Sequence, residues 1–133
     1  MIISDLTKLE SQFRVHLTVR LPRTPPRLVN VLRIIEQLES EQRVVTQSAL
    51  AQACGSNRSS VSDEIRRLDR IGYIDSKIDA ADRRMSVNTV SPEGRRFLMS
   101  ISADCDAAVA ALLGKLTTNE KALFVALLAK VVN

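Results

Sequence analysis

The chain has 133 residues, enough for one domain with a real core and too few for two ordinary ones. Hydrophobic residues make up 45% and aromatic residues only 3%, so the core must be built from Leu, Ile, Val and Ala, a composition that favours helices. Two cysteines, no long apolar run and an N-terminus, MIISDLTKLESQ, without a basic or apolar leader region predict a cytoplasmic chain with no membrane span, no secretion signal and no disulfide framework, while a net charge of +4 suggests a polyanion partner.

Leu6 to about Leu21 reads as a first helix, with Leu6, Leu9, Phe13 and Leu17 near helical spacing. The segment PRTPP, residues 22–26, ends it, and Pro26 then fits the first turn of a second helix that should close near Glu41. Leu28, Leu32, Ile35 and Leu38 form the apolar stripe of that helix. Val44 and Val45 suggest a short extended piece. Thr46 is a good N-cap for a short helix ending at Gly55, and Asn57 caps another that closes at Gly72. Two such helices joined by a tight glycine turn are the signature of a helix-turn-helix.

On the second of the pair, Val61, Ile65 and Leu68 make one stripe, while Ser59, Asp63, Arg66 and Arg70 lie opposite it. Tyr73 to Ile78 and Met85 to Val90 read as the two strands of a hairpin, with Met85, Val87 and Thr89 on one face. Ser91 and Pro92 start a long helix predicted to continue to Leu113, through Phe97, Ile101 and Leu112. Thr117 or Thr118 caps a last helix with Leu123, Leu127 and Val131 in register. The segment 107–132 is strongly apolar, so both termini are expected to pack against a second copy of the chain.

Arginine dominates where the chain is basic. Residues 13–35 hold Arg14, Arg20, Arg23, Arg27 and Arg33 and no acid. The planar fork of arginine suits phosphate and base edges better than lysine does. A single histidine, no glycine-rich phosphate loop, no Cys/His metal spacing and no paired carboxylates speak against an enzyme, so no catalytic residue, metal or cofactor is expected. Cys54 and Cys105 read as small core residues.

The order helix-turn-helix, hairpin, helix is that of a winged helix-turn-helix. Residues 48–98, SALAQACGSNRSSVSDEIRRLDRIGYIDSKIDAADRRMSVNTVSPEGRRFL, resemble the MarR family of bacterial transcription regulators. Leu50, Ala51, Gly55, Ser59, Val61, Leu68, Gly72, Ile74, Asp82, Arg83, Arg84, Val87 and Gly94 match that family's pattern without a gap. The fold expected is mainly α with a small β-hairpin wing. Residues 27–91 would form the DNA-binding lobe, and residues 1–21 and 92–133 the helices of a homodimer.

The resemblance implies a recognition helix in each major groove of a pseudo-palindromic double-stranded operator, with half-sites about 34 Å apart or a multiple of that. The function implied is a regulator, and a repressor in the reading adopted. Arg84 is assigned to the minor groove with Asp82 directing it, and Arg83 to the phosphate backbone. Asn57, Ser59, Ser60 and Ser62 suit phosphates and bases near the helix N-terminus, and Arg58 and Arg66 suit guanine edges. Arg67 flanks them. Asp63 and Glu64 both depart from the family's usual basic or apolar choices, and Asp63 is expected to pair with Arg66 or Arg67. The family's small aromatic or phenolic effectors imply an effector for this chain too, with no residue assigned to it. A winged helix that binds a partner regulator instead of DNA is the alternative.

Overall fold

The computed structural model describes residues 1–133 as two compact units. Arg23–Ser102 is the winged unit, and Met1–Pro22 with Ala103–Asn133 forms the terminal-helix unit. The winged unit contains helices α2 (Pro26–Ser40), α3 (Gln47–Cys54) and α4 (Arg58–Ile71), strands β1 (Ile74–Ile78) and β2 (Ser86–Val90), and helix α5 (Pro92–Ser100). The terminal helices are α1 (Ile2–Arg20), α6 (Ser102–Leu112) and α7 (Thr118–Val132).

Local chemistry sets most of these boundaries. The Thr46 hydroxyl accepts from the Ala49 amide, the Asn57 side chain from Ser60 N and the Ser91 hydroxyl from Gly94 N, each filling an N-terminal donor left over by its helix. Gly55 and Gly72 end α3 and α4 with φ of 62° and 91°, a left-handed conformation that costs glycine little. At the start of α7, Thr117 and Glu120 satisfy each other's backbone amides in a capping box. Those amide bonds hold the Glu120 carboxyl below the usual range.

The core of the winged unit joins α2 to α3, α4, α5 and β2. Leu32, Ile35, Leu50, Val61 and Leu68 are wholly enclosed, each burial contributing about 1.5–3 kcal/mol over an exposed position. Ile74 and Val90 pair across the base of an antiparallel hairpin, and Thr46 bridges to Val87 on the free edge of β2.

Asn88 and Val90 turn inward, on the face opposite Met85, Val87 and Thr89, and the buried asparagine is stabilised by bonding to the Val45 carbonyl. Two expectations are corrected. Strand β2 starts at Ser86, because Met85 belongs to the turn and donates its amide to the Asp82 carbonyl. The predicted helix 92–113 is two helices, broken at Ile101. There the Ser100 hydroxyl bonds back to the Phe97 carbonyl, a contact that bends helices.

That break also moves α5 out of the terminal-helix unit. Arg95 pairs with Glu39 at 2.9 Å, and the Tyr73 and Phe97 rings stack with centroids 4.6 Å apart, so α5 docks on the winged unit. Gly94 allows the approach. A Cβ there would collide with the Tyr73 carbonyl oxygen and lie 2.9 Å from Val90 Cγ1. Gly94→Ala is therefore expected to destabilise the protein by about 1–3 kcal/mol in urea unfolding, although alanine in an open helix interior gains about 1 kcal/mol. An unchanged midpoint would mean that α5 shifts away freely.

In the terminal-helix unit Leu17, Leu21, Ala108 and Leu113 are buried, yet α7 buries nothing within the chain. Leu123, Leu127 and Val131, the stripe read from the sequence, are 60%, 53% and 82% exposed. On α1, Ile2, Ile3, Leu6, Val15 and Val19 are also exposed. No helix is long and apolar enough to cross a membrane.

Candidate nucleic-acid interface

The strongly amphipathic α4 faces two ways. Val61, Ile65 and Leu68 anchor it in the core, and this fixes which side chains look outward. Asn57, Arg58, Ser59, Asp63, Arg66 and Arg67 are exposed, while Ser60 and Ser62 are half-buried at the edge of the face. The start of α4 is locked to α3, because Gln47 Nε2 donates to the Arg58 carbonyl at 2.9 Å. Sequence reasoning missed Gln47, although its place at the first residue of α3 was a usable signal.

Asp63 pairs with Arg66 at 2.9 Å, the geometry expected for i, i+3 neighbours on a helix. Arg66 Nη2 also lies 3.5 Å from Ser62 Oγ. Arg58 and Arg67 form no ion pair and remain available to an external anion. Glu64, the second unusual acid of this helix, points away from the outer face. Its side chain is 13% exposed and sits 3.8 Å from Arg27 Nε of α2.

The wing tip is shaped by two carboxylates. Asp79 Oδ1 accepts from Ala81 N at 3.2 Å, and Asp82 Oδ1 from Arg84 N at 3.0 Å. The same Asp82 oxygen lies 3.5 Å from Arg84 Nε, a pair loose enough to be exchanged for another anion. The Arg84 side chain is 93% exposed, and Arg83 beside it is exposed and unpaired. One acid therefore both closes the turn and directs the guanidinium.

The remaining groups of chemical interest are quiet. Burial pushes the Cys54 thiol up, against the opposing pull of Arg27, which makes it a poor thiolate. No group of three or more His, Cys, Asp or Glu is placed to hold a metal ion. Tyr73 and Phe97 line an open hollow of about 320 Å³ together with Arg23, Pro25, Leu28 and Arg67.

A buried helix-turn-helix pair, an outward basic face and an arginine-tipped hairpin define a winged helix-turn-helix protein of the DNA-binding class. The model of the iron-dependent repressor N-terminal DNA-binding domain matches residues 26–81. Transcriptional regulator HosA of Escherichia coli O157:H7 is 26% identical over 126 residues, covering 95% of this chain and 93% of HosA. MarR from E. coli superposes with a TM-score of 0.80 at 16% identity, covering 100% of this chain and 97% of that one. The S. aureus MepR–DNA complex gives 0.79 at 18% identity, covering 99% and 96%. The fold is that of the solved MarR regulators, and the likeness to a transcriptional regulator and to a repressor's DNA-binding domain makes the chain a DNA-binding transcription regulator.

Proposed function

We propose that this protein works as a cytoplasmic homodimer that binds a pseudo-palindromic operator and represses the promoter it covers. The observation that carries this reading is the pairing, on one compact unit, of an outward α4 face with a wing whose Arg84 side chain is 93% exposed and held only loosely by Asp82. In this reading α4 enters the major groove. Arg58 and Arg66 meet guanine edges there, and Asn57, Ser59, Ser60 and Ser62 hold the helix N-terminus against phosphates. Asp63 holds Arg66 in place, and Arg67 and Arg83 meet the backbone. Arg84, released from Asp82, enters the adjacent minor groove, where narrow A·T-rich stretches concentrate negative potential.

The uncovered apolar faces of α1 and α7 support the dimer: a single chain leaves them in water, and a second copy would bury them. Two-fold symmetry then matches two half-sites about 34 Å apart or a multiple of it. By the family resemblance, a small aromatic effector is proposed to modulate DNA binding.

Selection of genomic fragments by the purified protein at physiological salt tests the reading. Recovery of a pseudo-palindrome beside a few promoters is the expected result, and no enriched sequence would overturn it. On the recovered operator, Arg84→Ala should weaken binding by about 1–3 kcal/mol and relax the preference at the A·T-rich flank. A loss that is the same on every sequence would sink the wing assignment.

A further inference from the structure

β2 is an edge strand whose outward amides are met by two different groups. In the middle, Asn88 donates to the Val45 carbonyl from both its backbone N, at 2.9 Å, and its Nδ2, at 3.2 Å. At the base, the Val90 amide donates to Glu39 Oε1 of α2 at 2.8 Å. The other oxygen of the same carboxylate, Oε2, takes Arg95 Nη2 of α5 at 2.9 Å. One side chain, 16% exposed, thus ties the last residue of the wing to α2, on which it sits, and to α5, the helix that follows.

A carboxylate in this place is stronger than a neutral acceptor, because both of its bonds are charge-assisted. Removing it would strand the amide of Val90, a residue only 5% exposed, and unpair Arg95. Asn88 would still hold the middle of the strand. The hairpin would then stay attached to the unit, with Ser91 N still bonded to the Tyr73 carbonyl, but lose the tie of its lower end to α2. A change of direction at the base of a hairpin is largest at its tip, and the tip carries Arg84.

We propose that Glu39 is a positioning residue for the wing's DNA contact, acting through the base of β2 to fix where Arg84 is presented. The inference rests on the DNA-binding function proposed above. Glu39 itself is assigned no contact with DNA.

The test is a double-mutant cycle of Glu39→Ala and Arg84→Ala on operator affinity, read beside amide hydrogen exchange. Glu39→Ala should weaken binding about 5- to 30-fold in the wild-type background, the factor for one or two kcal/mol. In the Arg84→Ala background its effect should shrink to about twofold or less, whereas separate, independent sites add. Glu39→Gln keeps an acceptor for Val90 N–H and should recover most of the loss. If Glu39→Ala does not fold, Glu39→Met keeps the aliphatic stem, removes both acceptors and carries the same expectation.

Exchange should speed up at Val90 and along the wing while the core amides of α2 and α4 keep their rates. Equal losses in both backgrounds, no loss at all, or faster exchange throughout the molecule would each overturn the proposal. A wild-type protein that selects no DNA sequence would end the DNA-binding reading instead, and the clamp would then stand or fall on the exchange rate at Val90.

Discussion

Raising the salt from about 50 to about 200 mM is expected to weaken operator binding by about a hundredfold or slightly more. The size follows from counterion release. Arg67 and Arg83, placed on the backbone, form no ion pair within the chain, so a dimer brings four guanidinium groups that each displace a condensed cation from a phosphate. With a slope of about −0.9 per phosphate, four contacts give about −3.6 in log affinity against log salt, and a fourfold rise in salt then weakens binding about 150-fold. Arg66 and Arg84 add less, because each already has an acid partner whose loss offsets part of the gain. Fluorescence anisotropy on the selected operator at four or five salt concentrations measures the slope. A slope near zero would overturn the assignment of these arginines to phosphates, and weak binding with no sequence preference would favour the rival reading, in which α4 docks on a partner regulator.

The second large effect is expected at the C-terminus. Deleting residues 116–133 removes α7, the source of exposed Leu123, Val125, Leu127 and Leu128, and should give unfolded or aggregated protein without operator binding. A soluble product that remains dimeric and still binds the full operator would refute dimerisation through α7. Leu127→Glu separates assembly from folding. In a single chain this side chain is 53% exposed, so the substitution should change monomer stability by no more than about 0.5 kcal/mol. In a dimer seam it buries an unpaired charge, which costs far more than an exposed one. Sedimentation should show monomers, and operator affinity should fall by about 10²- to 10⁴-fold as the two half-sites stop being bound together. A variant that stays dimeric would move the interface off this face of α7.

Sequence alone determined the parts of this protein whose causes lie within three or four residues. Thr46, Asn57, Ser91 and Thr117 cap helices by bonding to amides three positions on, and Gly55 and Gly72 stop helices by their own backbone freedom. The inward stripe Val61, Ile65, Leu68 follows from helical spacing, and the pairing of Asp63 with Arg66 from i, i+3 proximity. With those fixed, the outward face of α4 and the arginine-tipped wing were legible before any coordinates.

Tertiary structure decided what depends on neighbours distant in the chain. Alternation in β2 allowed either face to be buried, and only the Val45 carbonyl, 43 residues earlier, turned Asn88 inward. Glu64 looked like one more acid on a DNA-facing helix until Arg27 of α2 drew it away from that face. The break at Ile101 lies inside an unbroken apolar pattern, and docking of α5 on the winged unit separates that helix from α6. Glu39 carried no local signal at all, since its partners Val90 and Arg95 lie 51 and 56 residues further on. A hydrogen bond of that span leaves no periodic trace in the sequence, because it joins groups that only the folded chain brings together.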